Sequence, residues 1–449
     1  MSQKDIFASA QIVAFNPILK ESLDVRIQYF LYLKKMLKIA KYPKNKYTEA
    51  QLALYKETLC EDIEVPKYRN HISFDPHFCY LLPYDLAMLL EFRSMNDKSK
   101  EIKKIIYTII GNFKLPKEQL SFLYREFDAA FGNLSAWKDV MKNDIAKGFD
   151  QYLNLVRKNI SFIQSNPYNI LITATMSAGK STLINSLVGK NISLMQNMSC
   201  TSKIHTIISK PLEDGVTSED DHELSLNASQ QDLLDDNEEN DSSNITVGTY
   251  FNGELGGKRI VLFDSPGVNS SENEDHKQIS HQMVKSKNYK LMLYVLNATQ
   301  LGTTDDEQYL EAIKQQIGET KIIFVMNKAD QLISEDDNFL DSIEKQKKFL
   351  ISKGFKDPLI CPVSSRAAYL VKKSKVEELR RIERREMENL MDKFELQRLS
   401  DYYEKNLGCS HISSNNETDE LFVNCGFSHF EKIITNLYNG GKKNGTDLY

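Results

Sequence analysis

The chain lacks paired cysteines. Its six (Cys60, Cys79, Cys200, Cys361, Cys409 and Cys425) are scattered, with no CxxC spacing and none set beside histidine. Neither a disulfide-stapled fold nor a zinc site is expected from them. Histidines at 71, 77, 205, 222, 276, 281, 411 and 429 show no ligand spacing either, so no protein metal site is expected among them. No window reaches ~18 consecutive apolar residues, the length a membrane-spanning helix needs. The amino terminus, MSQKDIFASAQIVAFNP, has no basic region followed by a long apolar run, which makes it a poor signal peptide. There is no internal repeat. A cytoplasmic chain is the resulting expectation, with a peripheral position at the inner face of the membrane left open.

Net basic charge is also missing. Lys+Arg 57 against Asp+Glu 62 leaves −5, which argues against a general polyanion binder. The average hides an uneven distribution. Residues 211–244 carry twelve acids and no Lys or Arg, and without them 57 bases face 50 acids. That segment is Ser/Asn-rich and poor in large apolar residues, so an acidic flexible insertion over 213–244 is expected.

What is present divides the 449 residues in two. From about Lys20 to Ser165 apolar residues recur at helical spacing: Val25, Ile27, Tyr29, Phe30, Leu33, Leu37 and Ile39, then Leu82–Phe92, Ile102–Ile110, Leu120–Phe131 and Trp137–Ile163. An all-helical module over 1–135 is expected, then a linking helix over 136–165. From Tyr168 short apolar strands alternate with helical stretches: Asn169–Thr173, Ile204–Ile208, Ile260–Phe263, Leu291–Leu296, Ile322–Met326 and Leu359–Val363. This α/β pattern predicts a mostly parallel sheet flanked by helices over 166–440. Within Lys372–Arg398 nine basic residues oppose seven acidic ones, which predicts a charged, solvated helical insertion over 371–407. A coiled-coil contact is the other reading of that stretch. Residues 441–449 are expected to form a disordered tail.

The chemistry concentrates at strand ends. Ala174-Thr-Met-Ser-Ala-Gly-Lys-Ser181 follows one strand and opens a helix. It is the phosphate-loop pattern with alanine at its first glycine. Backbone N–H groups of Met176, Ser177, Ala178 and Gly179 would surround phosphate oxygens, backed by the helix N-terminus and by Thr182. Lys180 would bridge the β- and γ-phosphates, and Ser181 would place its hydroxyl on Mg2+. Phe263-Asp-Ser-Pro-Gly267 ends a second strand, so Asp264 can hold the Mg2+ shell and the Gly267 N–H can sense the γ-phosphate. Asn327-Lys-Ala-Asp330 ends another, where the Asp330 carboxylate can accept both guanine N1–H and N2–H. Asn327 and Lys328 complete that loop. Ser364 and Ser365, after a further strand, are placed to meet the guanine oxygen through backbone N–H. Four such elements in order mark the ligand crevice of an open α/β sheet, and they predict GTP and Mg2+ as ligands. A switch threonine must also close over Mg2+; Thr201 is preferred and Thr206 is the alternative, because Thr201 lies in a loop. Ser177, Lys180, Thr201 and Gly267 are the catalytic candidates. Ser181, Thr201 and Asp264 are the metal candidates.

Several of these residues carry a family resemblance. ATMSAGKSTLINSL at 174–187, Cys200-Thr201, DSPGV at 264–268, LYVLNATQLGTTDDE at 293–307 and VMNKAD at 325–330 together resemble the bacterial dynamin-like GTPases. The resemblance covers roughly Ile163–Tyr438. It implies a dynamin-type GTPase domain that dimerises across its nucleotides, with hydrolysis stimulated by the dimer, and a stalk that brings self-assembly and membrane remodelling. The linking helix would then pack on this domain beside Ser428–Tyr438. Met176 stands where eukaryotic dynamins have a glutamine that places the catalytic water, which implies slow basal turnover. Only 11 residues follow Tyr438, so the family's long C-terminal stalk has no counterpart there.

Three functions fit: an assembly GTPase of dynamin type, a regulatory switch presenting its helical module to a protein, and a ribosome- or tRNA-associated GTPase. Lys34–Lys46, with six lysines and no acid, reads as a solvated helix end, an anionic-lipid patch or a nucleic-acid face. A homodimer and an anionic membrane surface are the expected partners, and no nucleic acid is expected.

Overall fold

The computed structural model describes residues 3–39, 45–61, 76–90, 100–113, 115–131, 137–139, 148–193, 204–221, 224–229, 231–233, 244–268, 274–300, 302–333 and 339–440. Two compact units result: Met1–Asn166 with Lys210–Ala228, and Pro167–Ser209 with Ser229–Tyr449.

The first unit is built from helices α1 (Leu23–Ile39), α2 (Lys46–Cys60), α3 (Leu82–Leu89), α4 (Lys100–Gly111), α5 (Lys117–Phe131) and α6 (Asp150–Gln164). Helical spacing puts Ile27, Phe30, Leu33 and Leu37 on one buried face of α1. Asn45 caps α2, its side chain accepting from the Thr48 N–H at 2.8 Å. One carboxylate lies in the middle of this core. Asp85 accepts from the hydroxyls of Tyr29, Tyr55 and Tyr152 and from the Asn16 amide. Those donors make its burial tolerable, yet desolvation still pushes its carboxyl up to about 6. Tyr152, Leu153, Val156 and Ile160 of α6 belong to this same core.

The acidic stretch departs from expectation. Its described residues up to Ala228 pack within the first unit. Leu212 and Leu226 join the helices' apolar core. Asp214 accepts from Lys210 Nζ at 3.0 Å and from the Gln11 N–H at 2.7 Å, and Asp220 pairs with Lys46 at 3.0 Å. Two leucines, the neighbouring Lys210 and the remote Lys46 supply the burial and counter-charge that the acidic composition could not reveal. Of the remainder, 222–223, 230 and 234–243 lie outside the described residues.

In chain order the strands are β1 (Tyr168–Ala174), β2 (Ile204–Ser209), β3 (Ser218–Asp220), β4 (Leu224–Ser225), β5 (Asn244–Thr249), β6 (Ile260–Asp264), β7 (Leu291–Asn297), β8 (Lys321–Asn327) and β9 (Leu359–Pro362). β3 and β4 form an antiparallel hairpin in the first unit. The second unit's strands run β5-β2-β6-β1-β7-β8-β9. All neighbours are parallel except β2 with β6. Every residue of β7 is buried, as a strand covered on both faces requires.

The second unit's helices are α7 (Lys180–Val188), α8 (Glu274–Ser286), α9 (Thr304–Gln316), α10 (Phe339–Ser352), α11 (Ser365–Ser374), α12 (Arg381–Leu396), α13 (Leu399–Asn406), α14 (Glu417–Asn424) and α15 (Phe427–Tyr438). The charged stretch is not one solvated helix. It is divided among α11, α12 and α13, with Lys372, Glu383, Phe394, Leu399 and Tyr403 buried. Lys373–Glu383 (2.8 Å) and Arg366–Glu386 (2.6 Å) pairs hold α12 against α11. Among the described residues no helix is long and apolar enough to cross a membrane.

Candidate functional site

The carboxyl ends of β1, β6, β8 and β9 carry the site. Past β1 the chain must turn tightly into α7, and two residues take the left-handed region: Ser177 (φ 60°) and Gly179 (φ 84°). Ala174 is fully buried at the strand end and needs no such conformation, so alanine serves where the loop pattern has glycine. Gly179 has no substitute. It caps α7, and a Cβ there would run into the Asn327 amide. Lys180, Ser181 and Thr182 then form the first turn of α7.

Lys180 Nζ donates to Asp264 Oδ1 across the β1–β6 pair, and both side chains are largely buried. Gly267 follows Asp264 and faces Met176; a Cβ on Gly267 would lie 3.5 Å from Met176 Cγ. The two segments are stitched by main chain: Met176 N–H donates to Val268 O (3.3 Å) and Val268 N–H to Ala174 O (3.1 Å).

The base-side loop is tied to the phosphate loop. Asn327 Nδ2 donates to the carbonyls of Ala178 (3.1 Å) and Gly179 (3.2 Å). Lys328 takes φ 62°, turning the chain so that Asp330 accepts from Ser364 Oγ at 2.6 Å. The Ser364 hydroxyl also caps α11, accepting from the Ala367 N–H. The two serines have main-chain N–H partners of their own. Ser364 N–H is committed to Cys425 O (3.1 Å) and Ser365 N–H to Asn327 Oδ1 (3.1 Å). The Ser364 hydroxyl is the group that reaches Asp330.

Thr201, with the rest of 194–203, lies outside the described residues. Thr206 lies inside β2, opposite Phe263. Sequence reasoning missed two polar groups at the site. Asn297, at the end of β7, points its amide at Ser177 O (3.5 Å). Lys393 of α12 donates to the Asp330 carbonyl at 3.1 Å, which brings the charged helix to the base-side loop. Asn297 stands in the LYVLNATQ segment that carries the resemblance, without a role assigned to it there; Lys393 carries no local signal, since it meets Asp330 only through the fold.

Residues 170–329 match the model of the Dynamin family. Most of those residues belong to the second unit. The uncharacterized protein in the xynA 3′ region of Caldicellulosiruptor sp. (strain Rt8B.4) is 25% identical over 233 residues, 48% of this chain and 54% of that protein. The chain thus spans about half the length of the curated relative it matches. Among solved structures, an oligomerised bacterial dynamin pair is 15% identical, with 84% of this chain and 64% of that one covered and a TM-score of 0.38. Toc33 from Arabidopsis thaliana is 14% identical (64% and 93%, TM-score 0.33) and Era from Aquifex aeolicus 19% (45% and 52%, TM-score 0.27).

Proposed function

We propose that the chain binds GTP with Mg2+ and hydrolyses it to GDP and phosphate, and that turnover rises when two GTPase domains meet. One observation carries the nucleotide reading. The phosphate loop, Asp264–Val268 and Asn327–Asp330 converge at one end of the sheet and are joined by Asn327 and by the Lys180–Asp264 pair. The loop amides and the α7 N-terminus would take the phosphates, Lys180 would move from Asp264 toward the β- and γ-phosphates, and Gly267 N–H would meet the γ-phosphate. Asp330, held by Ser364, would accept from guanine.

A hard cation fits the donors present. The Ser181 hydroxyl at the start of α7 and the Asp264 carboxylate at the end of β6 are oxygen ligands of the kind Mg2+ prefers, and Thr201 would be a third. Bound there, Mg2+ would neutralise charge on the β- and γ-phosphates. Met176 offers the attacking water no hydrogen bond, so Ser177, the loop amides and a partner domain must orient it. Basal turnover is therefore slow.

The test is GTP hydrolysis across protein concentration. Specific activity should climb with concentration in the wild type and vanish in Lys180→Ala. A fast rate in dilute monomer would sink the dimer reading. Coupling to an anionic membrane rests on the exposed Lys34, Lys35 and Lys38 of α1; Lys46 is already paired with Asp220. Nucleotide-dependent co-sedimentation with anionic liposomes checks it. A regulatory switch is the second reading, favoured by connectivity: β2, which follows the switch segment, runs straight into the 210–228 excursion of the helical unit. Nucleotide-dependent dimerisation without liposome binding would support it.

A further inference from the structure

Helix α9 starts beside the phosphate loop, and three hydroxyls converge on one of its carboxylates. Asp306 is 2% exposed. Its Oδ1 accepts from Thr175 Oγ1 and from Tyr294 OH, both at 2.9 Å, and its Oδ2 accepts from Thr303 Oγ1 at 3.1 Å. One turn later Tyr309 shares a 2.7 Å hydrogen bond with Thr173 Oγ1, which accepts from Ser265 Oγ at 2.9 Å. All of Thr173, Ser265 and Tyr309 are buried.

Capping the helix accounts for part of this. Thr303 accepts from the Asp306 N–H at 3.2 Å, and that threonine–acid pairing would serve on any exposed helix start. It does not require the acid to be buried, nor to accept from Thr175 and Tyr294. Burying a carboxylate costs free energy unless each lone pair is used, so the extra donors mark a site where the geometry itself is being fixed.

Both rungs end on the same two segments. Thr175 is the second residue of the phosphate loop, and its main chain bridges Val268. Thr173 lies two residues earlier in β1 and binds Ser265. The ladder thus joins α9 to the phosphate loop and to Asp264–Val268, the segments that a γ-phosphate is expected to draw together. Helix α8 adds a third hold on the latter, with Ser280 Oγ donating to Pro266 O at 2.7 Å.

We propose that Asp306 and Tyr309 are positioning residues that lock the phosphate-loop entrance to the Asp264–Val268 segment and so set the preference for a nucleoside triphosphate over a diphosphate. This rests on the nucleotide reading above. Both side chains act through Thr175, Thr173 and Ser265, and neither is assigned a contact with the nucleotide.

The experiment compares affinities of the full chain for a fluorescent non-hydrolysable GTP analogue and for fluorescent GDP. Thr175→Val keeps the side-chain shape and removes the hydroxyl. It should lose about tenfold in triphosphate affinity, the worth of one hydrogen bond to a charged group, and stay within about twofold for GDP. Tyr309→Phe should shift the same way by less. Asp306→Asn combined with Thr175→Val should lose less than the sum of the two single losses, because the two side chains share one interaction. Should Asp306→Asn fail to fold by thermal melting, Thr175→Val decides alone. Equal losses for both nucleotides would reveal a merely structural role and overturn the proposal. A wild type that binds both nucleotides with Thr175→Val unchanged would overturn it and leave the nucleotide reading intact. A wild type that binds neither would overturn both.

Discussion

Replacing Lys372 by methionine removes the only positive end of a buried pair while leaving its shape nearly intact. Lys372 Nζ donates to Glu431 Oε1 at 2.6 Å, with side-chain exposures of 5% and 1%. It also donates to Asn252 O at 2.8 Å and to Leu187 O, in the last turn of α7, at 3.2 Å. The rings of Phe422 and Phe427 lie 5.9 and 5.8 Å from the ammonium. Burial pushes the lysine down and the glutamate up, and each charge opposes the shift of the other. Methionine would leave a carboxylate desolvated and two carbonyls without this donor. Breaking a buried pair on one side costs about 3–5 kcal/mol, which for a domain of this size lowers the melting temperature by roughly 6–20 °C. Circular dichroism melts and urea titrations of the full chain would read it. Pairing Lys372→Met with Glu431→Leu should recover much of the loss, since no charge then stays buried. A single variant costing under about 1 kcal/mol would mean that water reaches the pair. A double variant equal to the sum of the singles would mean that the two groups are not coupled. Either result refutes the argument.

The first unit should show a pH dependence of definite sign. Burial raises the folded carboxyl of Asp85 from 3.8 to about 6 and that of Glu126 from 4.5 to about 8. The folded state therefore holds protons that the unfolded chain has lost. Stability is complete below about pH 4 on this account and drains away as pH rises through 6 and then 8. For Asp85 the difference is about 3 kcal/mol. Urea midpoints of the helical transition measured between pH 5 and 8 should fall, and a flat profile would contradict the assignment. At the base-side loop, Asp330→Asn removes one of two carboxylate acceptors and should cut GTP-over-ATP selectivity by at least about tenfold; unchanged selectivity in competition binding would remove Asp330 from base recognition. Gly179→Ala forces a Cβ onto φ 84° and into the Asn327 amide. The backbone strain alone is ~1–2 kcal/mol, so the melting temperature should fall by roughly 2–8 °C, and GTP affinity by fluorescence titration should fall with it.

The features legible in the sequence are those whose cause is local. The phosphate loop is readable because Gly179, Lys180 and Ser181 must stand in that order between a strand and a helix. The strands are readable because β1, β7 and β8 are apolar runs largely buried on both faces. Charge is where local reading fails. Asp220 meets Lys46 across 174 residues and Lys372 meets Glu431 across 59, so each looks like a solvated surface group until the fold brings its partner. The same blindness explains Asp306, which reads as an ordinary helix cap after Thr303 until Thr175 arrives from the phosphate loop and Tyr294 from β7. It explains the serines as well, whose N–H groups are taken by Cys425 and Asn327. The acidic run at 211–244, taken residue by residue, reads as a solvated insertion. Asp214 and Asp220 instead carry lysine partners inside the helical unit, and there the charge helps to organise the core. Counting formal charges along a chain therefore measures its field only where those charges stay in water. In this protein the residues that break that rule, Asp85, Asp214, Asp306 and Lys372, are also the ones that hold elements together.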